Sequence, residues 1–399
     1  MIYIVEAFVE DYLHVFANVN LIKIFRNVYS DESFVFISPE KHNHNVKKYF
    51  ESEFSKISFE TIINLNSSPR SIYDRVNLIF YRLLRDYRVL NSVFKRCRPG
   101  DKIVITHIHF FSLILLKLFK KKYRSITTFS VIHGDVEFVF FSNTKEQKVV
   151  GFFHELMFKV KAENFYYLFL TPISKDLLLG AGKTTIDETL AIELPTFPLE
   201  DKFNSNPIAI SYKVKIGHIG SAGLRKNVDL FYKLAIDLEK SICKGDLELS
   251  IVGVLENTIA PFLNPLIINY VDNELNKALS RELYDQKIAT LDYVIFFYGK
   301  NDFILRSSAA FFDAIYYEKP IIALRNTFFD DVFKRAGKIG YLCESIKEIE
   351  TLITLILKEE KFKLEYLNLV ENIKEYKSSL SITDISFSLK KEIELRQSL

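Results

Sequence analysis

The chain has 399 residues, 48% of them hydrophobic and 14% aromatic, with the aromatic load carried by 36 Phe and 21 Tyr and no Trp. That is long for one hydrophobic core and suits two domains. A formal net charge of +3, from 53 basic and 50 acidic residues, carries no nucleic-acid signature. Cys97, Cys243 and Cys343 are far apart and odd in number, which argues against a disulfide framework or a cysteine zinc site and for a reducing compartment.

The N-terminal MIYIVEAFVEDYLHVF has no basic leader and no small-residue cleavage site, and it reads as a first core strand rather than a signal peptide. Short β-branched or aromatic runs then alternate with helical stretches. Strands are expected at Ile2–Ala7, Phe34–Ser38, Lys102–His107, Ser125–Ile132 and Tyr167–Pro172. Helices are expected at Leu13–Val28, Arg70–Arg96, Phe110–Lys121, Thr144–Val160 and Lys175–Leu179. Strands alternating with helices imply a parallel sheet covered on both faces.

No apolar run reaches the ~18 residues of a membrane span. The nearest, Ile108 to Arg124, is short and ends in Lys117, Lys120, Lys121, Lys122 and Arg124. It reads either as a core helix with a solvated end or as an amphipathic helix resting on an anionic membrane surface.

The tract LPTFPLEDKFNSNPIAISYK holds three prolines and no periodicity, so Pro195 to Lys213 is the expected linker. The rhythm then restarts. Strands are expected at Val214–Ile219, Leu247–Val252, Tyr293–Phe297 and Pro320–Leu324. Helices are expected at Asn227–Lys240, Glu274–Tyr284, Ala309–Tyr317, Phe329–Ala336 and Ile346–Leu357, and Lys361 to Leu399 is helical and rich in Lys and Glu. The domains expected are 1–200, an N-terminal acceptor-binding domain, and 212–365, a C-terminal donor-binding domain, with a final helix in 366–399 crossing back to the first. The fold class is α/β: two Rossmann-like doubly wound domains facing each other across a cleft.

Two segments carry chemistry. In Leu291 to Ala323 a buried strand leads through a polar loop, with Arg306, Ser307 and Ser308, into a helix start. Free backbone N–H groups and the helix dipole favour an anion there, and ligands sit at the C-terminal ends of such strands. In KVKIGHIGSAGLRKNVDL a strand meets a glycine turn (Gly220, Ser221, Gly223), and Arg225 and Lys226 precede a helix. Two cations beside flexible backbone and a helix start make a diphosphate site on physical grounds.

Together these segments resemble the C-terminal, donor-binding domain of GT-B glycosyltransferases, and most closely the large retaining family that builds bacterial polysaccharides. The resemblance covers Val214 to about Leu357; the N-terminal half shares only the rhythm. It implies a metal-independent, retaining glycosyltransferase that moves a sugar from a nucleotide-sugar donor to a saccharide or lipid-linked acceptor. The setting implied is synthesis of bacterial capsule, O-antigen (lipopolysaccharide) or exopolysaccharide. Gly220, Ser221, Gly223, Arg225 and Lys226 match the diphosphate turn, Ser307 and Ser308 lie at the helix start, and Asp313 falls where the family's acid holds the ribose. His133 matches the acceptor-side histidine, with Gly134 and Asp135 beside it and His107 and His109 as further lining. The catalytic set implied is His133, Arg225, Lys226 and Arg306.

Two departures stand out: Leu305 replaces the first of two glutamates, with Arg306 beside it, and no glycine-rich turn follows Ala7. The implied location is cytoplasmic, with peripheral contact on the inner face of the membrane. No cofactor and no nucleic-acid partner is expected. A nucleotide-sugar epimerase of the same fold and a non-catalytic GT-B subunit of a polysaccharide-synthesis complex are the alternatives.

Three further motifs have plainer readings. GAGKTT, Gly180 to Thr185, resembles a phosphate loop but has Leu177 at the required first glycine and follows a helix. Asp330 and Asp331 read as helix-start residues. His107 and His109 lack a third ligand nearby, so no metal site is expected.

Overall fold

The computed structural model describes residues 1–10, 14–50, 56–62, 72–195, 213–271, 274–300 and 302–397, with the side chains of 72–77 left aside. The linker expected at Pro195 to Lys213 lies, but for its two end residues, outside the described residues, as do the expected helix starts at Leu13 and Arg70. The chain divides into two units. One holds Met1–Leu199, Leu305–Ser307 and Leu380–Leu399; the other holds Glu200–Ile304 and Ser308–Ser379.

The first unit is built on a seven-stranded parallel sheet: β1 (Ile2–Glu6), β2 (Phe34–Pro39), β3 (Ile57–Ile62), β4 (Lys102–His107), β5 (Thr127–Ile132), β6 (Phe165–Phe169) and β7 (Thr189–Ala191). Its order is β3-β2-β1-β4-β5-β6-β7. Near-continuous apolar runs such as IYIVE suit strands buried on both faces. The order reverses between β1 and β4, the switch point where doubly wound sheets open a crevice at their C-terminal ends. The helix Val15–Val28 covers one face, and Ile385, Leu389 and Ile393 of the last helix, Ile382–Gln397, join its core. Ser386 Oγ donates to Ile24 O at 3.3 Å, and the Glu392 carboxylate takes Lys175 at 2.6 Å and the Ala191 N–H at 3.0 Å.

The second unit repeats the plan with β8 (Val214–Ala222), β9 (Leu247–Leu255), β10 (Ile267–Asn269), β11 (Tyr293–Phe296), β12 (Ile321–Leu324) and β13 (Gly340–Cys343). The order is β10-β9-β8-β11-β12-β13, and it reverses between β8 and β11. Helices such as Asp229–Asp237 and Ile346–Lys358 bury Phe231, Leu234, Ile349 and Ile353 against it.

Several expectations change. The helix expected at Glu274–Tyr284 is Arg281–Ala289, capped by Ser280, because the preceding segment is held to the end of β9: Asn276 N donates to Leu255 O at 2.6 Å. The helix expected at Asn227 starts at Asp229, since Asn227 is left-handed (φ 54°) and closes a short turn over Leu224–Lys226. Lys361 to Leu399 contains two helices, Lys361–Ser379 and Ile382–Gln397. The helix start read at Asp330 and Asp331 is capped by Asn326, which accepts from Phe329 N at 2.9 Å; the aspartates pair with Arg325 and Arg335.

The basic cluster on the helix Ser112–Lys122 is thinner than the sequence suggested. Lys117 and Lys120 are fully buried. Lys117 Nζ lies 3.7 Å from the centre of the Phe165 ring and 4.5 Å from that of Tyr167, and burial lowers its ammonium to about 7. Lys120 donates to Tyr123 O and Arg124 O at 3.1 and 2.7 Å. Among the described residues no helix is long and apolar enough to cross a membrane.

Candidate functional site

In the second unit the site grows from the end of β8. Gly220 is left-handed (φ +84°), and a Cβ placed on Gly253 of the neighbouring strand would sit 1.9 Å from Gly220 O, so the two backbones meet where no side chain fits. After Gly223 the chain makes the turn Leu224–Lys226, pinned by Leu224 N to Thr258 Oγ1 (3.2 Å) and by Asn227 Nδ2 to Phe297 O (2.9 Å). Lys226 is buried beside Gly220, and Arg225 is exposed. Ser221 donates to the Glu256 carboxylate. The turn thus carries a desolvated cation at the β8–β11 switch point.

Beneath the turn, His218 is buried with Nδ1 3.2 Å from Ile295 O and Nε2 3.3 Å from Ser221 O. Burial, and then Lys226, lowers it to about 4, so it is neutral. No sequence signal marked His218 or Glu256, because a strand histidine and a loop glutamate have no local pattern.

Asp313 lies in the helix Ala309–Tyr316 and is buried. It accepts from the Tyr284 hydroxyl at 2.8 Å and lies 3.6 Å from the Arg281 guanidinium. Burial raises its carboxyl to about 6 against the opposing pull of Arg281 and Tyr284. Ser308 caps the same helix, accepting from Phe311 N at 3.2 Å, and shares a 2.9 Å hydrogen bond with Tyr298. Ser307 Oγ is buried without a hydrogen-bond partner among the described residues.

In the first unit the end of β1 is closed from within. The buried Glu6 carboxylate accepts the N–H groups of Phe8 and Val9, both at 3.0 Å, the Asn18 amide at 3.2 Å and the Thr106 hydroxyl at 3.1 Å. Burial pushes its carboxyl up to about 7, against the pull of those donors.

At the ends of β4 and β5 stand His107 and His133, joined by His14 from the start of the first helix; their ligand nitrogens all lie within 4.8 Å of one another. His107 thus has two further imidazoles close to it, from 93 and 26 residues away in sequence. His109 is not one of them. It stacks on Phe110 and Phe111, and burial, with Arg82 and Arg85, lowers it to about 4.

Past His133 the chain turns through Gly134, where a Cβ would lie 2.3 Å from the Arg306 Cβ. Arg306 makes a forked pair with Glu137, Nε to Oε2 at 2.9 Å and the second nitrogen to Oε1. The guanidinium read as a phosphate ligand is thus engaged by a carboxylate. Asp135 lies 3.1 Å from His154; burial opposes its charge, but His154 and His133 carry its carboxyl below the ordinary value.

No family profile matches the chain, and no curated protein sequence matches it. Solved structures do. WaaG, a glycosyltransferase involved in lipopolysaccharide biosynthesis, aligns with 98% of this chain and 99% of its own at TM-score 0.60 and 12% identity. A mutant of S. aureus TarM, in complex with fondaparinux, alpha-GlcNAc-glycerol and UDP, aligns over 98% and 100% at TM-score 0.63 and 11% identity. The trehalose 6-phosphate synthase of Burkholderia multivorans aligns over 100% and 99% at TM-score 0.63 and 8% identity. The chain has the GT-B fold. The two sheets of 7 and 6 strands are the two Rossmann-like sheets of that fold, as the resemblance implied. In the GT-B frame, the Gly220–Lys226 turn and the His133 turn each lie at the C-terminal edge of their own sheet.

Proposed function

We propose that this protein is a glycosyltransferase that moves a sugar from a nucleotide-sugar donor to a saccharide or lipid-linked acceptor in bacterial surface-polysaccharide synthesis. The observation that carries this reading is the buried Lys226 beside the left-handed Gly220 at the switch point of the second sheet of a GT-B fold. Loss of a nucleoside diphosphate builds negative charge on the β-phosphate. Lys226, with Arg225 beside it, would meet that charge already in place, at little cost in reorganisation.

Asp313 would exchange its Tyr284 hydroxyl for the ribose hydroxyls. His133 would face the transferred sugar, with Asp135 and Gly134 shaping its turn. Arg306, tied to Glu137, would hold that turn in position. Retention and independence from a metal in the transfer step follow from the resemblance and belong to the proposal.

One observation favours a non-catalytic role: Leu305 is buried where the family's carboxylate falls, and Arg306 is committed to Glu137. Donor turnover separates the readings. Purified protein is first screened by thermal shift against UDP, GDP, ADP and their sugar conjugates. A ligand at ~100 times its dissociation constant stabilises by about 2.7 kcal/mol. With the responding donor, a transferase slowly releases nucleoside diphosphate, an epimerase converts the donor sugar without acceptor, and a non-catalytic subunit does neither. No shift with any nucleotide would overturn the proposal.

A further inference from the structure

The three histidines at the C-terminal edge of the first sheet, among them the His133 turned to the sugar in the reading above, suit a further ligand. His14 occupies the N-cap of the helix Val15–Val28 in the left-handed region (φ 62°), and its side chain makes no capping hydrogen bond. Cap positions favour Ser, Thr, Asp or Asn because their short side chains hold the helix N–H groups. A histidine there, in a backbone conformation that costs energy, gives up that contribution. Its ring lies instead 5.4 Å from that of His107 and 5.0 Å from that of His133, while His107 and His133 are 4.3 Å apart.

The nitrogens are prepared as ligands. His133 Nε2 is 2.6 Å from Thr106 O, a contact only an N–H can make, which leaves Nδ1 with the free lone pair. A backbone carbonyl in that role is the usual outer-shell partner that orients a metal-binding imidazole. His14 Nδ1 and His107 Nδ1 are buried and have no hydrogen-bond partner among the described residues. All three residues are only partly buried.

We infer that His14, His107 and His133 form a binding site for a first-row divalent cation of the Zn2+ class, held by three imidazoles with its remaining position open to water. Imidazole donors select this class over Mg2+ and Ca2+, which prefer oxygen. Zn2+ at 2.0–2.1 Å from three imidazole nitrogens in tetrahedral angles sets the ring centres roughly 5 Å apart and the nitrogens about 3.4 Å apart. The centres already meet this spacing. The rings are nearly parallel, at 7° to 27°, so closing the site requires them to twist about their Cβ–Cγ bonds until the lone pairs converge. An ion there fixes the His133 ring and ties the helix start after β1 to the ends of β4 and β5. The inference does not depend on the transferase reading.

The test is calorimetric titration of the full-length protein with Zn2+, alongside His14→Asn, His107→Ala and His44→Ala. Asparagine tolerates the left-handed backbone and caps helices, so His14→Asn removes the ligand and keeps the fold. His44 is exposed and outside the trio and controls for surface binding. Wild type should bind one Zn2+ tightly, with His44→Ala unchanged. His14→Asn and His107→Ala should bind it more than about 100-fold more weakly, beyond the 10–100-fold of outer-shell partners. Co2+ should develop the visible absorption of a low-coordinate nitrogen site in wild type and lose it in His14→Asn. Wild type that binds no Zn2+, or a folded His14→Asn with undiminished affinity, would overturn the inference; in the second case the ion sits elsewhere, with the exposed thiol of Cys243 the first place to look.

Discussion

The first strands of the two sheets, β1 and β8, occupy the same place in their topologies, and each borders the point where strand order reverses. Their ends are finished in opposite ways. After β1 the backbone N–H groups of Phe8 and Val9 are taken by the Glu6 carboxyl, an acceptor the chain supplies to itself. After β8 the chain passes through Gly220, and a buried cation, Lys226, lies against it. One end is filled by a carboxyl of the chain itself, and the other sets a buried lysine beside an open glycine. After β1 the chain's own carboxyl takes the backbone N–H groups that an anion would otherwise meet, so the absence of glycines after Ala7 and the presence of Glu6 are one feature seen twice.

The largest expected effect breaks the self-filled end. Glu6→Ala removes the acceptor of the Phe8 and Val9 N–H groups, each unsatisfied group costing about 1–3 kcal/mol, while the Thr106 hydroxyl keeps Val5 O and the Asn18 amide keeps His42. Urea unfolding should show a loss of about 3 kcal/mol or more, and unchanged stability would mean that the loop is held by other contacts.

The next effect sharpens the open end. Asp313→Asn should weaken nucleotide binding about tenfold, the value of one hydrogen bond to a charged group, and spare free pyrophosphate. Equal losses for both ligands would mean that Asp313 only ties its helix to Tyr284 and Arg281.

A further effect at the self-filled end is a pH dependence, comparable in size to the first. With Glu6 at about 7 in the folded protein and near 4.5 when unfolded, the folded state binds the extra proton between those values. This contribution to stability is therefore full below about 4.5 and is lost as pH rises through about 7. Glu6→Gln should remove that component, so the difference in urea midpoint between wild type and variant should change from pH 5 to pH 8. A constant difference would place the Glu6 carboxyl near its ordinary value.

How much of this was legible follows from sequence distance. Local patterns sufficed for β1, β4, β8, β11 and β12, whose apolar runs are bounded by turn residues, and for the Gly220–Lys226 turn, which lies within seven residues. The edge strands β7 and β10, three residues each, are too short to show a period, and β3 mixes exposed and buried positions. Glu6 gave no signal because its partners Asn18 and Thr106 are 12 and 100 residues away. The histidine trio was hidden in the same way, with His14 contributed from a helix start where a capping residue would be expected. Arg306 was legible as a cation beside a helix start, but its partner Glu137 is 169 residues away.

The most direct test compares the two strand ends in one titration. Calorimetry with the nucleoside diphosphate selected by thermal shift is run on wild type, the double variant Arg225→Ala/Lys226→Ala, and Glu6→Gln. Charge-assisted hydrogen bonds contribute roughly 1.5–3 kcal/mol each, so the double variant should lose tenfold or more in affinity while Glu6→Gln binds as wild type does. A folded double variant that binds the nucleotide with wild-type affinity would show that the cations after β8 are not its site.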